Sequence, residues 1–231
     1  LSSCATPIIQ TAVIKKNISA SPVSTIDQID CSVACIKTIV FDVGQGTTNL
    51  VILPNNQLIM IDAGGSGKNN ADAVINWMNN NLPSGETIDH LILSHSDNDH
   101  TNLLGKLSEG NTPKINVNTL ASIHMAGRIS DYTLRSEAKK FFEKIVANPD
   151  AKGAAGNICS TSNRLVQINL YCYPPNTFAT SRITPGLPFD QNNDFYITLL
   201  AVNASNPLAN PVSVPNAGNG DSLVVSLKYR N

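Results

Sequence analysis

Apolar positions along the chain fall in short runs separated by turn-forming residues. Residues 36–42 form one run, and Gly44-Gln45-Gly46 punctuates its end. Residues 49–54 and 57–62 form two more, with Asn55-Asn56 between them as the turn of a hairpin. Gly64-Gly65-Ser66-Gly67 breaks the returning strand. Residues 70–81 then carry Val74, Ile75 and Met78 at helical spacing, with Pro83 just past the end. Residues 88–93 predict a buried strand that runs straight into an acidic and histidine-rich segment, and 101–107 predict a short helix. A further strand is predicted over 120–124. An amphipathic helix is predicted over 134–146, with Phe141, Phe142 and Ile145 on its apolar side. Residues 195–202 and 223–229 predict two more strands on either side of a Pro/Asn/Gly-rich connection. Residues 1–35 show no clear periodicity and read as a leader segment packed on the domain edge. Residues 147–192 read as an irregular insertion or extended loop. Hairpins, single strands and helices are mixed, so the class is α/β or α+β.

Composition narrows this picture. The 231 residues suit one domain, here 36–231, with or without an insertion. Apolar residues make up 42%, enough for a sizeable core, while charged residues are only 14% against the usual ~25%. The net charge of −1 gives no global field for nucleic acid, and Lys and Arg are scattered. The one basic pair near a predicted helix, Lys139-Lys140, reads as a solvated face. No apolar run reaches the roughly 18 residues of a transmembrane segment. The chain begins at Leu1, so it is expected to be processed, trimmed or cut from something longer. Leu1-Ser2-Ser3-Cys4 resembles the end of a lipoprotein signal, which would place a lipid anchor at Cys4; the other reading is a chance cysteine in a loose terminus. Low charge with abundant Asn, Ser and Thr suits an exported protein, whether periplasmic, secreted or lipid-anchored. Of the five cysteines, Cys31, Cys35, Cys159 and Cys172 remain once Cys4 is set aside. They allow three disulfide connectivities, and Cys31–Cys35 with Cys159–Cys172 is the sequence-local one. Metal binding by Cys31 and Cys35 is the alternative, without a second pair at structural-zinc spacing.

The chemistry concentrates in His95-Ser96-Asp97-Asn98-Asp99-His100. Two of the chain's four histidines and two aspartates stand here directly after an apolar strand. A strand end is a rigid platform, and a loop after it can fold these side chains around one centre. Imidazole nitrogen and carboxylate oxygen suit zinc, manganese and similar divalent ions. The bland reading is a solvated polar loop.

Ser94-His95-Ser96-Asp97-Asn98-Asp99-His100 resembles the H-x-H-x-D-H signature of the metallo-β-lactamase superfamily, with Asp97 in place of the second histidine. That variant is similar to the hydrolase domain of ComEC-type DNA-internalisation competence proteins. Phe41-Asp42-Val43-Gly44-Gln45-Gly46 resembles that group's opening strand and turn. Ile59-Met60-Ile61-Asp62-Ala63-Gly64 resembles the superfamily's strand ending in aspartate and glycine, and Asn219-Gly220-Asp221-Ser222-Leu223-Val224-Val225 resembles its later N-x-x-S strand. The resemblance implies an α/β fold of the metallo-β-lactamase αββα sandwich type, incomplete at its C-terminal end. It implies that His95 and Asp97 hold a first metal and Asp99 and His100 a second, Asp99 being the catalytic candidate. Asp62 would brace the motif loop as a hydrogen-bond acceptor behind the ligands. Water on one or two divalent ions, zinc foremost, would be deprotonated near neutral pH and attack a phosphodiester or ester. Asp42 and Gln45 flank a turn that lies near the site in this group, although two glycines alone explain a tight turn. His124 ends a predicted strand where many relatives place a further ligand, while a lone histidine is more often structural. His90 reads as a packing or surface residue.

After the strand matching 223–229, the superfamily pattern continues with an aspartate that bridges the metals and a later histidine, and nothing here matches either. A fragment is the favoured explanation. Two classes of function remain: an exported metal-dependent hydrolase of phosphodiesters or esters, with nucleic acid as a candidate substrate, and a non-catalytic exported binding or envelope protein that keeps the fold with a degenerate site. A small-molecule lactamase is a third option, against which Asp97 speaks. Metal content separates the first two.

Overall fold

The computed structural model describes residues 8–14, 35–67, 69–126, 129–134, 136–146, 169–173, 195–202 and 222–229. Seven strands form one sheet in sequence order: β1 (Ile8–Ile14), β2 (Cys35–Phe41), β3 (Thr48–Ile52), β4 (Leu58–Ala63), β5 (His90–Leu93), β6 (Ser122–Ala126) and β7 (Asn169–Tyr173). β8 (Phe195–Val202) and β9 (Leu223–Tyr229) pair antiparallel as a second sheet. The helices are α1 (Asn70–Asn81), α2 (Asn98–Thr101), α3 (Leu104–Leu107), α4 (Ile129–Tyr132) and α5 (Ser136–Glu143). The α/β class expected from the sequence is the one observed.

The centre of the sheet is an antiparallel meander followed by parallel strands. β2, β3 and β4 pair antiparallel, and β4, β5, β6 and β7 pair parallel. The hairpin turn centres on Pro54-Asn55, one residue earlier than expected, with the Asn56 N–H donating to the Leu53 carbonyl at 2.9 Å; Asn56 takes φ 67°, a left-handed conformation that asparagine tolerates. Register then sorts the side chains. Leu50, Leu58, Met60, Leu91, Leu93, Ile123 and Met125 share one face and join a core with Val74 and Met78 of α1, Leu104 and Leu107 of α3, and Phe141 and Phe142 of α5. The other face carries Val51, Ile59 and Ile92, which are also buried. A sheet buried on both faces reads as continuous apolar runs rather than alternation, as Leu91-Ile92-Leu93 does.

Several expectations need correction. Residues 1–35 showed no periodic element, yet 8–14 form β1, paired in parallel with β2. Residues 147–192 were read as irregular, yet 169–173 form β7 beside β6. The strand expected at 120–124 lies two residues later, at Ser122–Ala126. The single helix expected at 101–107 is two short turns, α2 and α3, with the first already begun at Asn98. The helix expected over 134–146 is α5, preceded by the separate turn α4. The helix over 70–81 and the strands over 195–202 and 223–229 lie where expected. Cys4, Cys31 and Cys159 lie outside the described residues, and with them both proposed disulfides and the lipid anchor.

The loops after β2, β4 and β5 interlock. The Thr47 N–H donates to the Asp99 carbonyl at 3.2 Å, and the Leu103 N–H to the Ala63 carbonyl at 2.8 Å. Thr48 Oγ1, buried, meets both the N–H and the carbonyl of Gly64 at 3.0 and 2.9 Å. Asn102 brackets Gly65, accepting from its N–H at 2.9 Å and donating to its carbonyl at 2.8 Å. Such close approach leaves no room for side chains: a Cβ on Gly46 or on Gly64 would overlap the Asp99 carbonyl oxygen. Gly46 also has φ 117°, so the G-x-G of the first turn answers both to its own backbone and to the motif segment stacked on it. Because the obstacle is backbone, Gly64→Ala is expected to destabilise the protein by about 1–3 kcal/mol, as overpacking does. Urea unfolding of the purified variant checks this; an unchanged midpoint would contradict the interlocked packing.

Candidate metal centre

β4 and β5 run parallel with Ile61 beside Ile92, so Asp62, next to last in β4, and Ser94, just past β5, come together at the carboxyl end. Clefts at that end of parallel strands are where open α/β sheets bind ligands. Asp62 is 2% exposed and holds φ 58°, a left-handed backbone that a non-glycine residue adopts only where its surroundings hold it there. Its carboxylate gathers the site. Oδ1 accepts the Ser94 N–H at 2.7 Å. Oδ2 accepts the Ser94 hydroxyl at 2.7 Å and lies 2.8 Å from His100 Nδ1. Asp62 had been expected to brace the motif loop as an acceptor behind the ligands; its contacts run to Ser94 and His100.

From Ser94 to Asp97 the chain has no regular structure, and after Asp97, whose backbone is extended, it turns into α2 at Asn98. A loop had been expected to carry all four candidate ligands; instead the loop carries His95 and Asp97, and a helical turn carries Asp99 and His100. The two histidine rings stack with centroids 4.0 Å apart and planes tilted by 49°. His95 is buried, its Nδ1 lies 2.9 Å from Ser94 Oγ, and its Nε2 has no hydrogen-bond partner. Asp97 Oδ2 stands 3.5 Å from that Nε2. Two ligands on a tetrahedral ion with bonds of 2.0–2.1 Å are separated by about 3.4 Å, so this pair already has the spacing of one edge of such a site. A buried nitrogen without a partner, facing a carboxylate at that distance, fits a divalent cation. Among the described residues, no three His, Cys, Asp or Glu side chains form a ready group of metal donors. His100 points Nδ1 at Asp62, and the Asp99 carboxylate acts on it through space. Burial disfavours the charged imidazolium of His100, but the Asp62 hydrogen bond and the charges of Asp62, Asp99 and Asp97 outweigh this and raise its pKa.

Several contributors carry no signal in the sequence motif itself. Ser94 links Asp62 to His95, and its Oγ also lies 3.4 Å from His100 Nδ1, which meets Asp62 directly. Ser222, at the foot of β9, brings Oγ to 3.5 Å from His95 Nδ1. It is the serine of the N-x-x-S segment, which had been read only as a strand and given no place at the site. Tyr132 is fully buried and sits behind the motif, its hydroxyl 3.4 Å from the Leu93 carbonyl. Burial first, then the charges of Asp62 and Asp131, push that phenol well above its usual range. Asp42 and Gln45 shape the first turn: Asp42 Oδ1 accepts the Gly44 N–H at 3.4 Å, and the Gln45 N–H donates to Ser66 Oγ at 3.0 Å.

His124 lies elsewhere on the sheet. It sits inside β6, beside Ile92, with Nε2 3.1 Å from Ser122 Oγ; the same hydroxyl is 2.8 Å from His90 Nδ1. His90, Ser122 and His124 therefore form a buried polar group on the sheet face opposite the helices. Burial lowers the His90 pKa to about 4. Burial, reinforced by His90, lowers that of His124 to about 3.

Residues 41–150 match the family model described as the metallo-beta-lactamase superfamily. That span holds the first turn, Asp62 and the whole of the histidine-aspartate motif. Members of this superfamily are typically metal-dependent hydrolases and typically bind divalent metals, often zinc. Among solved structures, the chain is similar to the metallo-beta-lactamase fold protein YhfI from Bacillus subtilis, at 14% identity and a TM-score of 0.33, over 79% of this chain and 50% of that one. The chain thus spans about half the length of that neighbour. No curated protein matches the chain.

The buried histidine pair has a consequence for acid stability. An unfolded histidine takes a proton near pH 6.5, well before His90 or His124 does in the folded chain. Between these values the unfolded state binds more protons, so stability rises with pH there. The contribution is complete above about pH 6.5 and is lost as the pH falls toward 4. Urea midpoints measured from pH 7.5 to 4.5 should fall on acidification, and the fall should be shallower in His124→Gln. Parallel pH profiles for the two proteins would contradict this assignment.

Proposed function

We propose that this chain is a metal-dependent hydrolase of phosphodiesters or esters, with zinc the leading metal. The observation that carries the reading is the His95–Asp97 pair: a buried Nε2 without a hydrogen-bond partner, 3.5 Å from a carboxylate oxygen, in a motif fixed from behind by Asp62. His95 and Asp97 would hold the ion, and His100 and Asp99 would complete the donor set or hold a second ion. A bound divalent ion supplies Lewis acidity and a water acidic enough to ionise near neutral pH. Around it, Asp62 keeps His100 oriented, and the Asp99 charge acts on His100. Asp97, in the position where the usual signature has histidine, adds a hard oxygen donor to the first site, which supports a phosphodiester over a lactam. The same departure, with the F-D-V-G-Q-G turn, supports a ComEC-type relationship and therefore nucleic acid as the source of the phosphodiester. An exported location accords with the low charge and the Cys4 segment.

The second reading, a binding or envelope protein that keeps the fold without a working site, is favoured by one observation: among the described residues, no three donors are grouped for an ion. Elemental analysis of the whole chain after zinc or manganese loading and desalting separates the two. The hydrolase reading expects a bound divalent ion that is lost from the His95→Ala, His100→Ala double variant. Hydrolysis of bis(p-nitrophenyl) phosphate should be lost with it, by at least 100-fold, on the scale expected when the group that activates water is removed. Equal and negligible metal in both proteins would establish the second reading instead.

A further inference from the structure

Ser94 stands among three charged or ionisable partners with a single proton to give. Its Oγ is 2.7 Å from Asp62 Oδ2, 2.9 Å from His95 Nδ1 and 3.4 Å from His100 Nδ1. An ionised carboxylate only accepts hydrogen bonds, so the contact at 2.7 Å requires the hydroxyl proton to point at Asp62. Ser94 Oγ then offers only lone pairs to His95, and His95 Nδ1 must carry the hydrogen. The same logic applies to His100, whose Nδ1 lies 2.8 Å from the same Asp62 oxygen and must also be the protonated nitrogen. Both rings are left with Nε2 as the nitrogen whose lone pair is free, and for His95 that is the buried atom facing Asp97.

We infer that Ser94 is a positioning residue that relays the Asp62 carboxylate to His95 and so fixes the His95 tautomer with its Nε2 lone pair aimed at Asp97. His100 receives the same instruction from Asp62 directly, without Ser94. One carboxylate thereby sets two tautomers by two routes, one of which runs through a hydroxyl. The backbone N–H of Ser94 holds the other carboxylate oxygen, at 2.7 Å, and that contact survives any side-chain change. The hydroxyl can therefore be removed without releasing Asp62 from the strand. The inference rests on the proposed hydrolase reading only for its purpose; the tautomers are properties of the metal-free protein.

The test is a long-range proton–nitrogen correlation spectrum of the metal-free, histidine-labelled chain, recorded at a pH above the point where the same spectra show both rings to have lost their second proton. In the wild type, His95 and His100 should both show Nδ1–H and a free Nε2. Ser94→Ala should shift His95 to Nε2–H or to a mixture while leaving His100 unchanged, and Ser94→Thr, which restores a hydroxyl, should return His95 to Nδ1–H. A purely structural role for Ser94 would disturb both rings together or neither. A wild-type His95 already protonated at Nε2, or a His95 signal indifferent to Ser94→Ala, would overturn the inference. Should Ser94→Ala fail to fold, Ser94→Gly and Ser94→Thr make the same comparison. Zinc titration of the same samples keeps the two readings apart. A Ser94-dependent tautomer in a chain that takes up no zinc supports this inference and removes the hydrolase reading. Zinc uptake with a Ser94-independent tautomer overturns this inference alone.

Discussion

The Asp62 carboxylate is the constraint from which the site is built. It is buried, and a buried charge without partners costs several kcal/mol. Three donors meet that requirement: the Ser94 N–H, the Ser94 hydroxyl and His100 Nδ1. All three come from the motif segment, so the segment cannot move without exposing or stranding the charge. The left-handed backbone at Asp62 coincides with a bulge near the end of β4, past which the Ala63 carbonyl accepts the Leu103 N–H and Gly64 lies against the Asp99 carbonyl. Side-chain chemistry and backbone packing therefore fix the same loop twice.

Sheet topology decides which residues can meet in this way. The antiparallel meander of β2, β3 and β4 brings the first turn close in sequence and in space, as local hairpins do. The parallel pairing of β4 with β5 does the less local work. It sets two carboxyl ends together across a crossover that contains α1, so residues 62 and 94 become neighbours. α1 buries Ala71, Val74 and Met78 against the sheet, and this apolar face secures the crossover. The polar motif then needs little stabilisation of its own, because its two anchoring strands are held by core packing on the far side of the same residues.

What could be read in the sequence follows from where local pattern and tertiary context agree. α1 was legible because its apolar spacing is helical and Pro83 closes it. The hairpin was legible because Asn55-Asn56 has turn chemistry between two apolar runs. β1 and β7 were not, since each is defined by a parallel partner distant in sequence and neither has a turn signal that marks it. The motif was legible as chemistry but not as conformation: two aspartates and two histidines within six residues stand out, whereas the switch from extended chain to helix at Asn98 depends on the Asp62 and Gly64 contacts. A two-residue displacement of β6 moved His124 from a strand end to a strand interior. In a strand, where successive side chains alternate faces, such a displacement preserves the face but changes which end of the sheet a residue approaches.

The four histidines show why residue type alone could not assign roles. His95 and His100 touch carboxylates or the hydroxyl tied to one, whereas His90 and His124 share the hydroxyl of Ser122 within the sheet. For His100 the nearby negative charges exceed the penalty of burial and raise the pKa; for His90 and His124 burial dominates and lowers it. His100 sits among carboxylates whose charge favours a positive partner. The second pair is kept neutral and serves packing between strands. A cation would gain from the Asp62, Asp97 and Asp99 charges only at the first place, and that difference in field, more than the count of donors, locates the candidate centre at the end of β5 rather than in the middle of β6.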